Sequence, residues 1–158
     1  MQPVIRPTAR VILIDASERI LLMQHRGEDV PFLWATPGGG LEPDETPEQA
    51  AMRELREEVG LSVSAIGPCV WLRTHLWPWQ GDVYDVRERY YVCRIDSYEV
   101  GNHVNEDERE REWVSGHRWW SLEEIAASSE TFVPSALAEL LLPLLKGEYP
   151  VEPLRIGI

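Results

Sequence analysis

The stretch from Thr46 to Gly60 constrains this chain more than any other. Thr46 offers a hydroxyl to cap a helix, Pro47 follows at the first helical position where its missing N–H costs nothing, and Gly60 stands just past the end. The residues between them favour helix, so the punctuation predicts a helix running to Val59. On it, Glu54, Glu57 and Glu58 are spaced i, i+3, i+4 and share an arc of about 100°, while Met52, Leu55 and Val59 lie on another arc centred roughly 140° away. The apolar side must pack, so the acidic side is expected to look outward or into a cleft. Like charges at these spacings each cost a few tenths of a kcal/mol, a cost that a hard cation would turn into attraction. Three oxygen donors suit Mg²⁺ or Mn²⁺ completed by water and substrate phosphate. A plain solvated face is the alternative for the same residues.

Charge is concentrated around that helix. Glu42 to Glu58 holds seven carboxylates against Arg53 and Arg56, and Glu106 to Glu112 holds five against Arg109 and Arg111; the two runs give −5 and −3, or −8 of the chain's −12. A surface this acidic argues against a partner that is a nucleic-acid polymer bound by phosphate neutralisation. Length and composition, 158 residues of which 44% are hydrophobic, suit one globular domain spanning 1–158. Cys69 and Cys93 lack the clustering of a metal or redox site and are expected to be reduced, buried thiols. Neither a secretory leader nor a membrane-length apolar run is visible, so a cytoplasmic chain without a membrane partner is expected.

The remaining elements follow from local pattern. Val11–Asp15 and Arg19–Gln24 flank a polar turn and read as a hairpin; Leu61–Thr74 and Arg87–Ile95 read as strands, with the WPWQGD stretch between them as a loop. Ser121 and Glu124 form a capping box ahead of a helix from about Leu122 to Ala127. A second helix is expected from Pro134 to Leu145, with a leucine stripe for the core, followed by an extended tail. Together these predict an α/β (α+β) fold, a sandwich of sheet and helices.

The run GGLEPDETPEQAAMRELREEVGL, Gly39 to Leu61, fits the pattern Gx5Ex7REUxEExGU, U being aliphatic, at Gly39, Glu45, Arg53, Glu54, Leu55, Glu57, Glu58, Gly60 and Leu61. It resembles the signature of the Nudix hydrolases. Looser likenesses extend it: the preceding strand pair, Trp34 and Pro37 leading into the glycines, and Trp119 before the later capped helix. The resemblance implies an α/β/α sandwich built on a mixed sheet flanked by helices. It implies that Glu54, Glu57 and Glu58 are metal ligands, joined by the backbone carbonyl of Gly38, and that Arg53 pairs with Glu45 to hold the loop against the helix, with Gly39 and Gly60 as structural support. The implied reaction is hydrolysis of a diphosphate linked to another moiety, usually a nucleoside diphosphate derivative, with Mg²⁺ or Mn²⁺ as cofactor.

A general base varies in position among such enzymes. Here Glu110 is the first candidate, then Glu108 or Glu112, with Glu57 or Glu58 as substitutes; the glutamate that some relatives carry just before the tryptophan is Arg118 in this chain. Arg26 and Arg73 are candidates for phosphate contact, and Trp77 and Trp79 for stacking a base. His25, His75, His103 and His117 have no ligand spacing and are expected to be structural. Pro78 lies near the distance at which ADP-ribose-hydrolysing relatives carry a proline, which points to ADP-ribose or an ADP-sugar. Two alternatives stand beside it: a pyrophosphatase sanitising damaged nucleoside triphosphates, and a Nudix-like module that binds nucleotide without turnover. An isoprenoid diphosphate isomerase on the same fold lacks recognisable catalytic residues here. The resemblance implies a small nucleotide as partner and leaves room for a homodimer.

Overall fold

A computed structural model describes residues 2–27, 29–96 and 114–158. Its frame is a mixed sheet that begins with β1 (Val4–Ile14), β2 (Ile20–Arg26), β3 (Phe32–Ala35) and the short β4 (Gly38–Gly40). Helix α1 (Pro47–Glu54) and a π turn (Leu55–Val59) follow, then the long strands β5 (Cys69–Trp79) and β6 (Asp82–Arg94). The chain closes with β7 (Val114–Trp120), α2 (Leu122–Ala127), β8 (Phe132–Val133), α3 (Leu137–Leu145) and β9 (Leu154–Arg155). Among the described residues the strand order is β8-β3-β2-β1-β6-β5-β9, with β4 also pairing β1 and β7 also pairing β2. β1 runs parallel to β6 and antiparallel to β2 and β4.

Strand alternation makes two cores. Ile12, Ile14, Tyr90 and Val92 face one side, where α2 and α3 cover them with Ile125, Leu137, Leu141 and Leu144. Val11, Leu13, Tyr91 and Cys93 face the other, where Ala50, Ala51, Leu55 and Val59 of the α1 region pack. Helices on both faces of a mixed sheet are the sandwich expected from the sequence. No helix among the described residues is long and apolar enough to cross a membrane. Cys93 is buried and Cys69 half-buried, both free, and burial pushes both thiols up.

Several boundaries differ from the sequence reading, each for a physical reason. The WPWQGD stretch is a hairpin, not a loop: β5 and β6 are joined by Gln80 and Gly81, at φ +48° and +85°, a turn whose two left-handed residues match the twist of the strands. Pro78 is tolerated because this reach of β5 pairs only with β6 among the described residues. β5 also begins later than expected, at Cys69, and α3 begins at Leu137 rather than Pro134. The tail, expected only to be extended, adds β9 to β5 at Trp71 and Leu72.

Candidate active site

α1 starts as its punctuation predicts. The Thr46 side chain accepts from the Gln49 N–H while Gln49 accepts from the Thr46 N–H, a reciprocal box that satisfies two otherwise open donors. The helix widens into the π turn at Leu55, and Gly60, left-handed at φ +75°, ends it. Within that turn Leu55, Glu58 and Val59 are all buried, so one glutamate shares the packed side with the apolar residues.

The three glutamates are therefore not an outward ridge. Glu54 and Glu58 are 2% and 4% exposed, turned into the junction between α1 and β4, while Glu57 remains accessible. Glu58 Oε2 accepts from the Gly38 amide at 3.0 Å. Glu54 packs closely on Gly39, where a Cβ would stand 2.4 Å from its Oε1 and displace the carboxylate. A Cβ on Gly38, at φ +153°, would lie 2.2 Å from the Ala9 carbonyl oxygen. Met52, expected on the apolar arc, is only half-buried, and Ala51 takes its place beside Leu55 and Val59.

Arg53 organises the rim. Its guanidinium grips Glu45 with Nε at 2.8 Å and Nη2 at 3.0 Å, and Nη2 also donates to the Gly40 carbonyl at 2.9 Å. Nη1 reaches both Glu54 Oε1 and Glu57 Oε2 at 3.0 Å. The hydrogen bond from Arg53 holds the Glu45 carboxyl below its usual range. Burial pushes Glu54 the other way, upward, with Glu57 adding to the shift and Arg53 opposing it.

One feature of this donor set suits a divalent cation. Glu54 Oε2 is a buried carboxylate oxygen with no hydrogen-bond partner among the described residues. Such an orphan costs about 1–3 kcal/mol or more when charged, and a hard cation is the partner that would relieve it. Among the described residues no group of three or more His, Cys, Asp or Glu side chains is arranged so as to hold a metal ion by itself. Arg53, bridging Glu54 and Glu57, stands as their positive partner.

A model of the NUDIX domain matches residues 4–140. The chain is a Nudix hydrolase. This Nudix chain is 29% identical to an RNA pyrophosphohydrolase of Hahella chejuensis, over 90% of itself and 94% of that protein. It is 28% identical to Nudix hydrolase 25 of Arabidopsis thaliana, over 89% and 86% of the two chains. Among solved structures it is similar to the E. coli ORF135 protein, at a TM-score of 0.63 and 25% identity, covering 95% and 96% of the two chains. The NUDIX domain of Shewanella oneidensis NrtR, complexed with ADP ribose, shares the fold at a TM-score of 0.65 and 19% identity over 92% and 90% of the chains.

The Nudix sandwich places the other candidates apart from one another. Arg73, expected at a phosphate, is 4% exposed and engages Glu88 at 2.5 Å, so it is a core ion-pair residue. Arg26 is exposed at the end of β2, with no described contact to the acidic helix. Trp77 and Trp79 lie along one face of β5, their rings stacked at 5.1 Å, with the Arg6 guanidinium 5.5 Å from the Trp77 centroid. Arg6 in turn lies against Gly40, where a Cβ would come within 3.2 Å, so the aromatic pair adjoins the glycine strand. Glu106, Glu108, Glu110 and Glu112, and with them His103, lie outside the described residues.

Arg10 and Glu88 are the residues the sequence reading missed. Arg10 Nε meets Glu88 Oε2 at 2.8 Å, and its Nη1 donates to the carbonyls of Thr36 at 3.2 Å and Gly38 at 3.4 Å. The Gly38 carbonyl, expected beside a metal, thus already faces a guanidinium. Burial pushes Glu88 up, but the charges of Arg10 and Arg73 outweigh it and hold the carboxyl below its usual range. Strand parity carried the signal: Tyr90 and Val92 face the core, so Glu88, two residues earlier, shares their face.

Proposed function

We propose that this Nudix hydrolase uses a divalent cation to cleave the pyrophosphate bond of a nucleoside diphosphate linked to another moiety. The observation that carries it is the buried, unpartnered Glu54 oxygen, set within one helical turn of Glu57 and Glu58. Glu54, Glu57 and Glu58 would hold Mg²⁺ or Mn²⁺ beside the Gly38 backbone. Bound there, the ion would neutralise phosphate oxygens and acidify water. Arg53 orients Glu54 and Glu57 while its grip on Glu45 and the Gly40 carbonyl fixes the loop. In the reaction a water oxygen bonds to phosphorus, the bridging P–O bond breaks with its electrons staying on the departing phosphate, and the water's proton passes to a carboxylate. Glu110, then Glu108 or Glu112, are the candidates to take it, with Glu57 or Glu58 as substitutes.

The Trp77–Trp79 pair, joined to the glycine strand through Arg6, is the proposed neighbour of the base. Pro78 and the acidic surface favour a small ADP-ribose-like or ADP-sugar substrate. The relatives named RNA pyrophosphohydrolase favour a second reading, a pyrophosphate carried on RNA. A panel of nucleoside di- and triphosphates, ADP-ribose, sugar nucleotides, dinucleoside polyphosphates and 5′-triphosphorylated RNA, each with Mg²⁺ and Mn²⁺, separates the two. Phosphatase-coupled phosphate release and direct product analysis should show faster turnover of the small diphosphate-linked nucleotides. Faster turnover of RNA selects the second reading, and no metal-dependent turnover of any member contradicts both.

A further inference from the structure

Arg10 belongs to none of the steps above, yet its guanidinium ties three parts of the molecule together. Its Nε is held by Glu88 on β6, and its Nη1 points at the Thr36 and Gly38 carbonyls. Gly38 cannot shift freely, since it is pressed against Ala9 and Arg10 of β1, and the Pro37 carbonyl accepts from the Val11 amide at 2.8 Å. The Gly38 amide then donates to Glu58 Oε2 at 3.0 Å. A continuous path therefore runs from Glu88 through Arg10 and the Thr36–Gly38 backbone to a carboxylate of the acidic site.

We propose that Arg10, anchored by Glu88, is a positioning residue that sets the affinity of the acidic site for its divalent cation by fixing the backbone against which Glu58 is aimed. The proposal rests on the metal-site reading above. Arginine suits the task because its planar fork keeps several donors in fixed relation, whereas an ammonium on a flexible stem cannot hold Glu88 and two carbonyls in one geometry. Both Glu88 oxygens are engaged, Oε2 by Arg10 and Oε1 by Arg73, so the anchor is itself immobile. Arg73 provides an internal control. It shares the same buried carboxylate but makes no hydrogen bond to residues 36–40 among the described residues.

The test is Mn²⁺ binding to the full chain, followed by electron paramagnetic resonance of the free ion, beside thermal melting, for wild type, R10K and R73K. R10K should raise the Mn²⁺ dissociation constant by about 10- to 100-fold, the range for losing a group that orients a ligand. R73K should stay within about twofold of wild type even where its melting temperature falls as far. Equal affinity in R10K and wild type overturns the proposal, as does equal weakening in R73K, which would mark a general loss of packing. Should R10K fail to fold, E88Q releases Arg10 while keeping shape, and unchanged Mn²⁺ affinity in E88Q is equally contrary. A wild type that binds no Mn²⁺ removes the metal-site reading itself, and the inference with it.

Discussion

At the scale of single residues, the site is a problem in burying charge. Glu54 and Glu58 are buried, and the groups that help make this tolerable include a backbone amide on Glu58 and the Arg53 guanidinium on Glu54. Removing one carboxylate charge without changing its shape should abolish function and leave folding intact. E57Q and E58Q are each expected to lower Mg²⁺-dependent turnover by at least about 100-fold with unchanged far-UV circular dichroism, and wild-type rates would refute the ligand assignment. Arg53 makes a sharper case. A lysine keeps the charge but cannot bind Glu45 bidentately while reaching Gly40, Glu54 and Glu57. R53K is therefore expected to lower kcat by about 10- to 100-fold, measured in steady-state assays at saturating metal, with KM for the nucleotide changed much less.

At the scale of elements, the capped helix was legible because its start and stop depend on local chemistry. Thr46, Pro47, Gln49 and Gly60 do in the structure what those residue types do in any helix, and the same holds for the Ser121–Glu124 box. T46A should cost about 1 kcal/mol in chemical denaturation while kcat stays near wild type; an unchanged midpoint would show that the box adds nothing. The π turn was not legible, since it goes with tertiary contacts: Leu55 and Val59 pack with Ala9, Val11 and Leu13 of β1, and Glu58 meets the Gly38 amide. The hairpin at Gln80-Gly81 was hidden by Pro78, whose usual meaning is the end of a strand. The Arg10–Glu88–Arg73 cluster was hidden for another reason: charged residues in strands read as solvent-facing, and only the pairing of β1, β5 and β6 reveals that these three meet inside.

At the scale of the whole molecule, the buried ionisable groups couple stability to pH. Burial, reinforced by Arg10, lowers the His25 pKa to about 4, against about 6.5 in an unfolded chain. Between those values the unfolded chain binds a proton that the folded chain refuses, so stability falls as pH falls through this window. Glu88, whose carboxyl is held low, adds a further loss at lower pH, as its folded-state proton is finally taken up. Melting temperatures should therefore fall less steeply in H25N than in wild type between pH 7 and 4, and an identical slope would contradict the assignment.

The acidic balance of the surface, −12 overall, and the concentration of carboxylates around α1 leave one feature on which the function turns, a cation drawn into the junction of α1 and β4. Crystals grown with Mn²⁺ and a nonhydrolysable nucleotide test it most directly, because manganese is located by its anomalous signal. The expected result is an ion bound by Glu54, Glu57 and Glu58 and touching a phosphate oxygen. Manganese bound elsewhere, with none of those three carboxylates touching it, would contradict it.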